Sequence, residues 1–532
     1  MSSLDVDRPR ARRQQLGDLL HRSAARFPAK LALVGGEDRF TYAELDALVN
    51  RLAHGLEGAG VVKGERLALL AHNSWQVAAL TFAAARLGVV LVPVNFMLTG
   101  PEVAFILEHS GAVGLVVEDA LLPVAQQALE RSEQVRVRAV IGAPSPGWVD
   151  LADWVAHPDE SEPELDLDDD APLQLMYTSG TESRPKGVVM TSRMLVSQYV
   201  SCVVDGGMET ADVEVHALPL YHCAQLHCFL VPDVYVGATS IVLPGAEPAA
   251  LLATIARERV TKLFCPPTVW ISLLRHPDFD RTDLSSLRKG YYGASAMPVQ
   301  VLHEILERLP DVRIWNFYGQ TEMAPLATIL PPEEQLSHAG SAGRASLNVE
   351  TVVVDDDGVE VPHGVVGEIV HRSPHATPGY WQDEAKTAAA FAHGWFHSGD
   401  LGVLSESGHL SVVDRKKDMI KTGGENVASR EVEEALYLHP GVAEVAVFGV
   451  PHPTWIEAVT AVVVPKEGSG LTQEALAEHA RAHLAGYKRP KYVRLVEALP
   501  KNPSGKILKR GLRETFAGIA DEIGEGPGCT PG

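Results

Sequence analysis

Short apolar runs at residues 89–94, 113–117 and 137–141 alternate with stretches in which apolar residues recur every three or four positions. Continuous runs of strand length between helical stretches predict a parallel sheet covered by helices on both faces. The helical stretch that opens at Phe40-Thr-Tyr-Ala-Glu-Leu45 carries its own start signal, because Thr41 stands three residues before Glu44 and the two can form a capping box. Residues 61–71 predict a turn at Lys63-Gly64 that feeds an apolar strand. The longest apolar stretch, residues 77–94, is interrupted by Arg86 and Pro93. It predicts a buried helix running into a strand and falls short of the ~20 residues that span a bilayer.

Further along, the pattern changes twice. Residues 173–177 predict one more strand, with a polar loop directly after it. Residues 341–404 break into short strands with turns at Asp357-Gly358 and His363-Gly364, the pattern of a smaller β-rich unit. Asp414 to Lys417 is a charged connector, followed by an amphipathic helix (429–438), two alternating strands (442–450 and 458–464) and another helix (472–484). The fold class expected is therefore α/β. A large N-terminal domain of parallel-rich sheets and a small β-barrel-like subdomain occupies residues 1–413, a hinge 414–418, and a small mobile α+β domain 419–532.

Composition narrows the functions. The chain has 532 residues, 46% of them hydrophobic, which suits buried cores in more than one domain and excludes a disordered or collagen-like protein. A net charge of −22 does not favour nucleic acid as a partner. Eight acids fall within residues 159–170, around Pro163, and predict a solvated surface connection. The five cysteines include no CxxC pair, and the arginines at 8, 10, 12 and 13 lead into a charged amphipathic stretch instead of an apolar signal core. Both features predict a reducing, cytoplasmic setting.

Five motifs carry candidate chemistry. In Tyr177-Thr-Ser-Gly-Thr-Glu-Ser-Arg-Pro-Lys-Gly-Val188, hydroxyls and a glycine follow a strand and a lysine closes the loop. Backbone N–H groups and hydroxyls there can hold phosphate oxygens while Lys186 adds a charge. In Asn316-Phe-Tyr-Gly-Gln-Thr-Glu322, Tyr318 can lie against a nucleobase, Gly319 allows close approach, and Thr321 with Glu322 offers the hard oxygens that Mg²⁺ prefers. Gly394-Trp-Phe-His-Ser-Gly-Asp400 presents an acid able to bind two ribose hydroxyls. Asp414-Arg-Lys-Lys-Asp-Met-Ile-Lys-Thr-Gly-Gly-Glu-Asn426 places Arg415 as its companion, and the turn in Pro500-Lys-Asn-Pro-Ser-Gly-Lys-Ile507 presents Lys506.

In this order the five motifs resemble the AMP-forming adenylate synthetases: acyl-CoA synthetases, beetle luciferases and the adenylation domains of peptide synthetases. The match runs from about Phe40 to about Arg510 and continues in Pro219-Leu-Tyr-His222, Tyr292-Gly-Ala-Ser295, Gly340-Ser-Ala-Gly-Arg344, Gly379-Tyr-Trp381 and Tyr487-Lys-Arg-Pro-Lys491. The resemblance implies that Thr178, Ser179, Gly180, Thr181 and Lys186 cradle the ATP phosphates. Gly293, Ala294, Ser295, Asn316, Tyr318 and Gly319 would surround adenine, and Asp400 and Arg415 would grip the ribose. Mg²⁺ would be held by Glu322 and Thr178, with Thr321 beside them. Lys506 would serve adenylation. After rotation about Lys417, the loop with Lys421, Gly423 and Gly424 would guide coenzyme A, whose phosphates could meet Lys488, Arg489 and Lys491. His222 would sit near the substrate carboxylate.

Two positions depart from the family pattern: Glu182-Ser183 in the phosphate loop, where Glu182 is expected to turn away toward Arg184, and Gln225, where glycine is frequent. Cys223 and His227 have the spacing of a ligand pair on one helical face, but a structural zinc site needs four ligands. No acid lies in residues 221–231, so nothing there would pair with the ammonium group of an amino acid. The expected enzyme joins a short- to medium-chain fatty acid or a simple aromatic acid to CoA. A ligase delivering to an acyl carrier protein and a catalytically weak adenylate binder are the alternatives, and a homodimer is left open.

Overall fold

The computed structural model describes residues 10–178, 185–295, 297–502 and 507–519. Ser179 to Arg184, including Glu182, as well as Lys506 and Cys529 lie outside the described residues.

Two large sheets share one layer of helices. The first has seven strands in the spatial order Val149–Asp150, Val137–Ile141, Gly114–Glu118, Arg66–Leu70, Val90–Val94, Pro172–Thr178, Lys186–Thr191, parallel except for the last pair. The second has nine strands, and its central run from Arg313–Gly319 through Lys289–Gly293, Lys262–Phe264, Val213–His216 and Thr239–Val242 to Leu31–Gly35 is parallel. Antiparallel strands close both of its edges.

Successive side chains of a strand point to opposite faces. Leu67, Leu69 and Leu91 accordingly join the core formed with helices Leu16–Arg26, Tyr42–Gly58 and Trp75–Leu87. Their neighbours Ala68, Leu70, Val90 and Val92 join a second core under helix Gly100–Ser110. Val215, Ile241, Leu263 and Ile314 of the nine-stranded sheet pack on helices Pro248–Glu258, Pro267–Arg275 and Val299–Arg308. Burial on both faces is why the strands read as unbroken apolar runs.

Local signals position the helices. Thr41 and Glu44 form the expected capping box. Ser74 caps Trp75–Leu87, and Gly88 ends it at φ 63° in the left-handed region, where a side chain would be strained. The acidic connection does more than face water: Glu162 pairs with Arg13 at 2.6 Å, Glu164 with Arg10 at 3.3 Å, and Asp169 accepts from the Gln14 backbone N–H at 2.9 Å. It clasps the arginine-rich N-terminal segment to the domain.

The small β-rich unit is a five-stranded antiparallel sheet containing Gly367–Arg372, Trp395–Leu404 and Leu410–Arg415. Beyond it a second five-stranded sheet is built on the long hairpin of Val442–His452 and Ile456–Pro465. Helices Ser429–Tyr437 and Gln473–His483 cover one face of that hairpin and Lys509–Thr515 the other. No helix among the described residues is long and apolar enough to cross a membrane.

Burial depresses the pKa of four enclosed histidines: His216, His227 and His371, the last two to about 3, and His375 to about 4. The folded protein keeps these imidazoles neutral, whereas the unfolded chain protonates them near pH 6.5. Stability should therefore fall as the pH is lowered from about 6.5 toward 4, because unfolding takes up protons at these imidazoles. The pH dependence of the urea midpoint measures this; a flat profile over that window would show that these groups titrate freely in the folded state.

Candidate active site

The carboxyl ends of adjacent parallel strands are where open α/β sheets bind ligands. Here the strands are Lys289–Gly293 and Arg313–Gly319, with Gly293 paired to Phe317. A Cβ on Gly293 would stand 2.4 Å from the Phe317 carbonyl oxygen, and one on Gly319 would stand 1.9 Å from that of Pro325. Only glycine permits this approach, and Ala294 follows with φ at 63°.

Three motifs meet beside this edge. The Tyr318 hydroxyl donates to Asp400 Oδ2 at 2.7 Å, and Arg415 Nε lies 3.2 Å from Oδ1. Antiparallel register sets Asp400 directly opposite Arg415. Burial, reinforced by the Asp400 charge, raises the Tyr318 pKa far above its ordinary value, so the phenol keeps its proton and can donate. Asp400 is 5% exposed, and its Oδ1 carries no hydrogen bond among the described residues. Asn316 Nδ2 donates to the Ser341 carbonyl at 3.0 Å, fixing the strand to the Gly340–Arg344 turn.

Thr321 and Glu322 lie in the single turn of helix after Gly319. The Thr321 hydroxyl is 3.1 Å from Cys223 Sγ, and burial pushes that thiol up to about 12, so it stays neutral. Tyr380 donates its hydroxyl to Glu322 Oε1 at 2.8 Å. The same tyrosine lies 5.2 Å beneath Lys186 Nζ, and its neighbour Trp381 donates its backbone N–H to the Gly187 carbonyl at 2.8 Å. Thr178 pairs with Lys186 across the hairpin that carries the phosphate-loop motif. Thr178, Lys186, Tyr380 and Glu322 thus form one continuous wall, with a cavity of ≈ 200 Å³ beside Lys186 and Tyr380.

A second cavity of ≈ 10 Å³ is lined by Leu218, Pro219, His222, Gln225, Phe264 and Ala294, so it adjoins the Gly293–Ser295 segment. Its wall includes the start of a π-helical segment, Ala224–Leu230. Cys223 and His227 do not form a pair: Cys223 faces Thr321, while His227 lies between the Tyr199 hydroxyl (2.7 Å) and Gln174 Oε1 (2.8 Å).

In the C-terminal unit, Gly423 and Gly424, at φ 60° and 88°, make the two-residue turn between Ile420–Thr422 and Glu425–Val427, and the Lys421 backbone N–H donates to Glu457 at 2.7 Å. Lys501 pairs with Ile507 at the base of the loop that contains Lys506. Of the basic patch, Lys488 pairs with Glu431 at 2.6 Å, Arg489 donates to the Leu484 carbonyl, and Lys491 lies over the Trp455 ring. The patch is largely committed to its own domain. Across the junction, Asp414 accepts from the Ser429 backbone N–H at 2.6 Å, and Arg430 donates to the carbonyls of Val412 and Gly340.

The profile of the AMP-binding enzyme family matches residues 20–381, and that of the AMP-binding enzyme C-terminal domain matches residues 431–506. Over 506 residues the chain is 38% identical to a feruloyl-CoA synthase of Amycolatopsis sp, covering 95% of this chain and 100% of that one. It is 35% identical over 507 residues to a long-chain-fatty-acid–CoA ligase of Mycobacterium tuberculosis, covering 95% and 99%. Its fold matches the crystal structure of an anthranilate CoA ligase in complex with anthranoyl-AMP with a TM-score of 0.89 at 28% identity, over 95% of this chain and 98% of that one. Fold and relatives define the class, an AMP-forming acid–CoA ligase that uses ATP and CoA. The chain belongs to the AMP-binding enzyme family.

Motif reasoning did not single out Tyr380 as a partner of Glu322 or Cys223 as a partner of Thr321, contacts that span 58 and 98 residues of chain. The buried state of Cys202, Cys223, Cys228 and Cys265 has a direct readout. All four should resist an aromatic disulfide reagent at pH 8 in the folded protein and react in guanidinium; rapid labelling of Cys223 without denaturant would contradict the enclosed Thr321 contact.

Proposed function

We propose that the protein adenylates a carboxylic acid without an amino group, a short- to medium-chain fatty acid or a simple aromatic acid, and transfers the acyl group to CoA. The observation that carries this reading is the convergence of Tyr318, Asp400 and Arg415 at the strand ends, with Glu322 and Lys186 along the adjoining wall. The unbonded acceptor on buried Asp400 suits a ribose hydroxyl. Tyr318, held by Asp400, gives adenine a fixed aromatic face, beside strand ends that Gly293 and Gly319 let pack closely on their neighbours.

Glu322 and Thr178 supply hard oxygen donors that fit Mg²⁺. Bound there, the ion would neutralise charge on the ATP phosphates. Lys186 adds a fixed positive charge to the same wall. In the first step an oxygen of the acid, already ionised at pH 7, attacks the α-phosphorus while the bond to pyrophosphate breaks, so no general base is needed. Lys506 stabilises the charge that develops in the transition state. In the second step the CoA sulfur attacks the acyl carbon, AMP leaves with the bonding electrons, and the thiol proton passes to solvent. In this reading His222, in the wall of the small cavity, stands near the substrate carboxylate.

The segment 414–418 serves as the hinge between a domain of residues 1–413 and a mobile one of residues 419–532. In this reading Lys421, Gly423 and Gly424 replace Lys506 at the site for thioester formation. The four buried free thiols favour a reducing, cytoplasmic compartment.

Two measurements test the reading. Carboxylate-dependent ATP–pyrophosphate exchange is expected with non-amino acids, followed by thioester on CoA; thioester only on a carrier protein would change the acceptor, and no exchange with any acid would overturn the function. Lys506→Ala should lower adenylation by about 100-fold or more, the size of effect seen when one transition-state donor is removed. It should leave thioester formation from supplied acyl-adenylate largely intact. Equal loss of both steps would overturn the two-conformation assignment.

A further inference from the structure

One side chain of the small C-terminal unit that reaches the large one is Arg430, the second residue of helix Ser429–Tyr437. Its guanidinium uses donors in three directions: Nε on Glu434 of the same helix at 2.9 Å, Nη1 on the Val412 carbonyl at 2.7 Å and Nη2 on the Gly340 carbonyl at 3.1 Å. The two carbonyls belong to the large unit. Only 20% of the side chain is exposed, so water competes weakly for these bonds. Gly340 opens a turn whose next residue, Ser341, accepts from Asn316 on the strand that ends at Tyr318 and Gly319. Arg430 thus ties the C-terminal unit to the turn that braces the proposed adenine wall.

The residues on either side of Lys417 are anchored to different units. Lys416 pairs with Asp356 at 2.8 Å and with Glu368 at 3.3 Å in the small β-rich unit, whereas Asp418 pairs with Arg513 of helix Lys509–Thr515 at 2.9 Å. A rotation between these anchors carries Arg430 away with the C-terminal unit and parts it from Val412 and Gly340. In the present arrangement Lys421, Gly423, Gly424, Glu425 and Asn426 are exposed, and a Cβ on Gly424 would meet nothing within 4 Å. A loop seated over the strand ends to guide a thiol would be covered. The arrangement that Arg430 holds is therefore not the thioester-forming one, and in an enzyme with two arrangements it is the adenylating one.

We propose that Arg430 is a positioning residue, a latch that holds the C-terminal unit in place for adenylation and lets go for thioester formation. This rests on the two-step reading above, with its hinge at 414–418. A contact biases such an equilibrium only if it is made in one arrangement and lost in the other. The bonds to Val412 and Gly340 meet that condition, whereas the bond to Glu434 stays within one helix and does not. Each half-reaction draws on its own arrangement, so the ratio of the two rates follows the equilibrium that the latch biases.

The test uses the full chain with Arg430→Met, which suits a helix and removes the donors, and with Arg430→Lys, whose compact ammonium lacks the fork that spans both carbonyls. Adenylation is read by ATP–pyrophosphate exchange, and the second step by thioester formation from supplied acyl-adenylate and CoA. The ratio of the first rate to the second is expected to fall roughly 10-fold in Arg430→Met, the order for losing a charged donor's bonds at a part-exposed site, and by less in Arg430→Lys. Hydrogen exchange gives a readout independent of turnover. The Ser429 amide, held by Asp414 at 2.6 Å, should exchange faster in Arg430→Met, while the hairpin of Val442–His452 and Ile456–Pro465 keeps its protection. An unchanged ratio, equal loss of both steps included, would make Arg430 a merely structural contact and overturn the proposal, as would a ratio that rises. Absence of exchange with every acid in the wild type would instead overturn the adenylation reading. Unchanged protection of Ser429 in the variant would overturn the latch whether or not the enzyme turns over.

Discussion

Helices cover both faces of both large sheets, and polar chemistry is left with the strand ends and the loops that leave them. In the parallel part of the nine-stranded sheet, Leu263 and Ile314 are enclosed among apolar side chains. The same strand that carries Ile314 then ends on Tyr318 and Gly319, where the backbone turns away and side chains regain freedom. A parallel sheet sets several strand ends on one edge. Gly293 and Tyr318 therefore come together although the chain between them makes a whole helix, Val299–Arg308.

The site also reaches across to the small antiparallel sheet, and there the geometry couples two tasks. Asp400 faces Arg415 by strand register, and Arg415 is the last residue of its strand. The residue before it, Asp414, is buried and accepts from the backbone of both Arg415 and Ser429. The groups proposed to hold the ribose and the start of the proposed hinge are thus neighbours in one dipeptide. A rotation beginning just after Arg415 can leave the Asp400 contact in place while breaking the bond from Asp414 to Ser429.

Legibility in the sequence followed the range of the forces involved. Strand runs and the Thr41–Glu44 box are local, and each appears where the residues predicted it. The motif at 316–322 was legible because its residues act within a few positions of one another. Tyr380 was not, since its bond to Glu322 depends on the pairing of its own segment with Lys186–Thr191. Cys223 and His227 misled for a different reason. Four-residue spacing shares a face only on an α-helix, and the π-helical segment Ala224–Leu230 widens the turn, sending the two side chains to separate partners.

The cluster behind Gln225 is the hardest part to read and the most instructive. Glu214 and His216 alternate with Val215, a pattern that ordinarily marks a solvent-facing side of a strand. Here that side is enclosed, and Lys262 from the adjacent parallel strand meets it. Burying such groups brings little net stability, because desolvation offsets most of the attraction between them. Their use lies in direction. Lys262 holds Glu214 and Asp233 on one side of the cluster, and His216 Nδ1 meets the Gln225 amide at 2.8 Å on the other. An apolar core of equal volume could support the same fold, but it could not give the Gln225 amide a polar partner at a fixed place in the cavity wall.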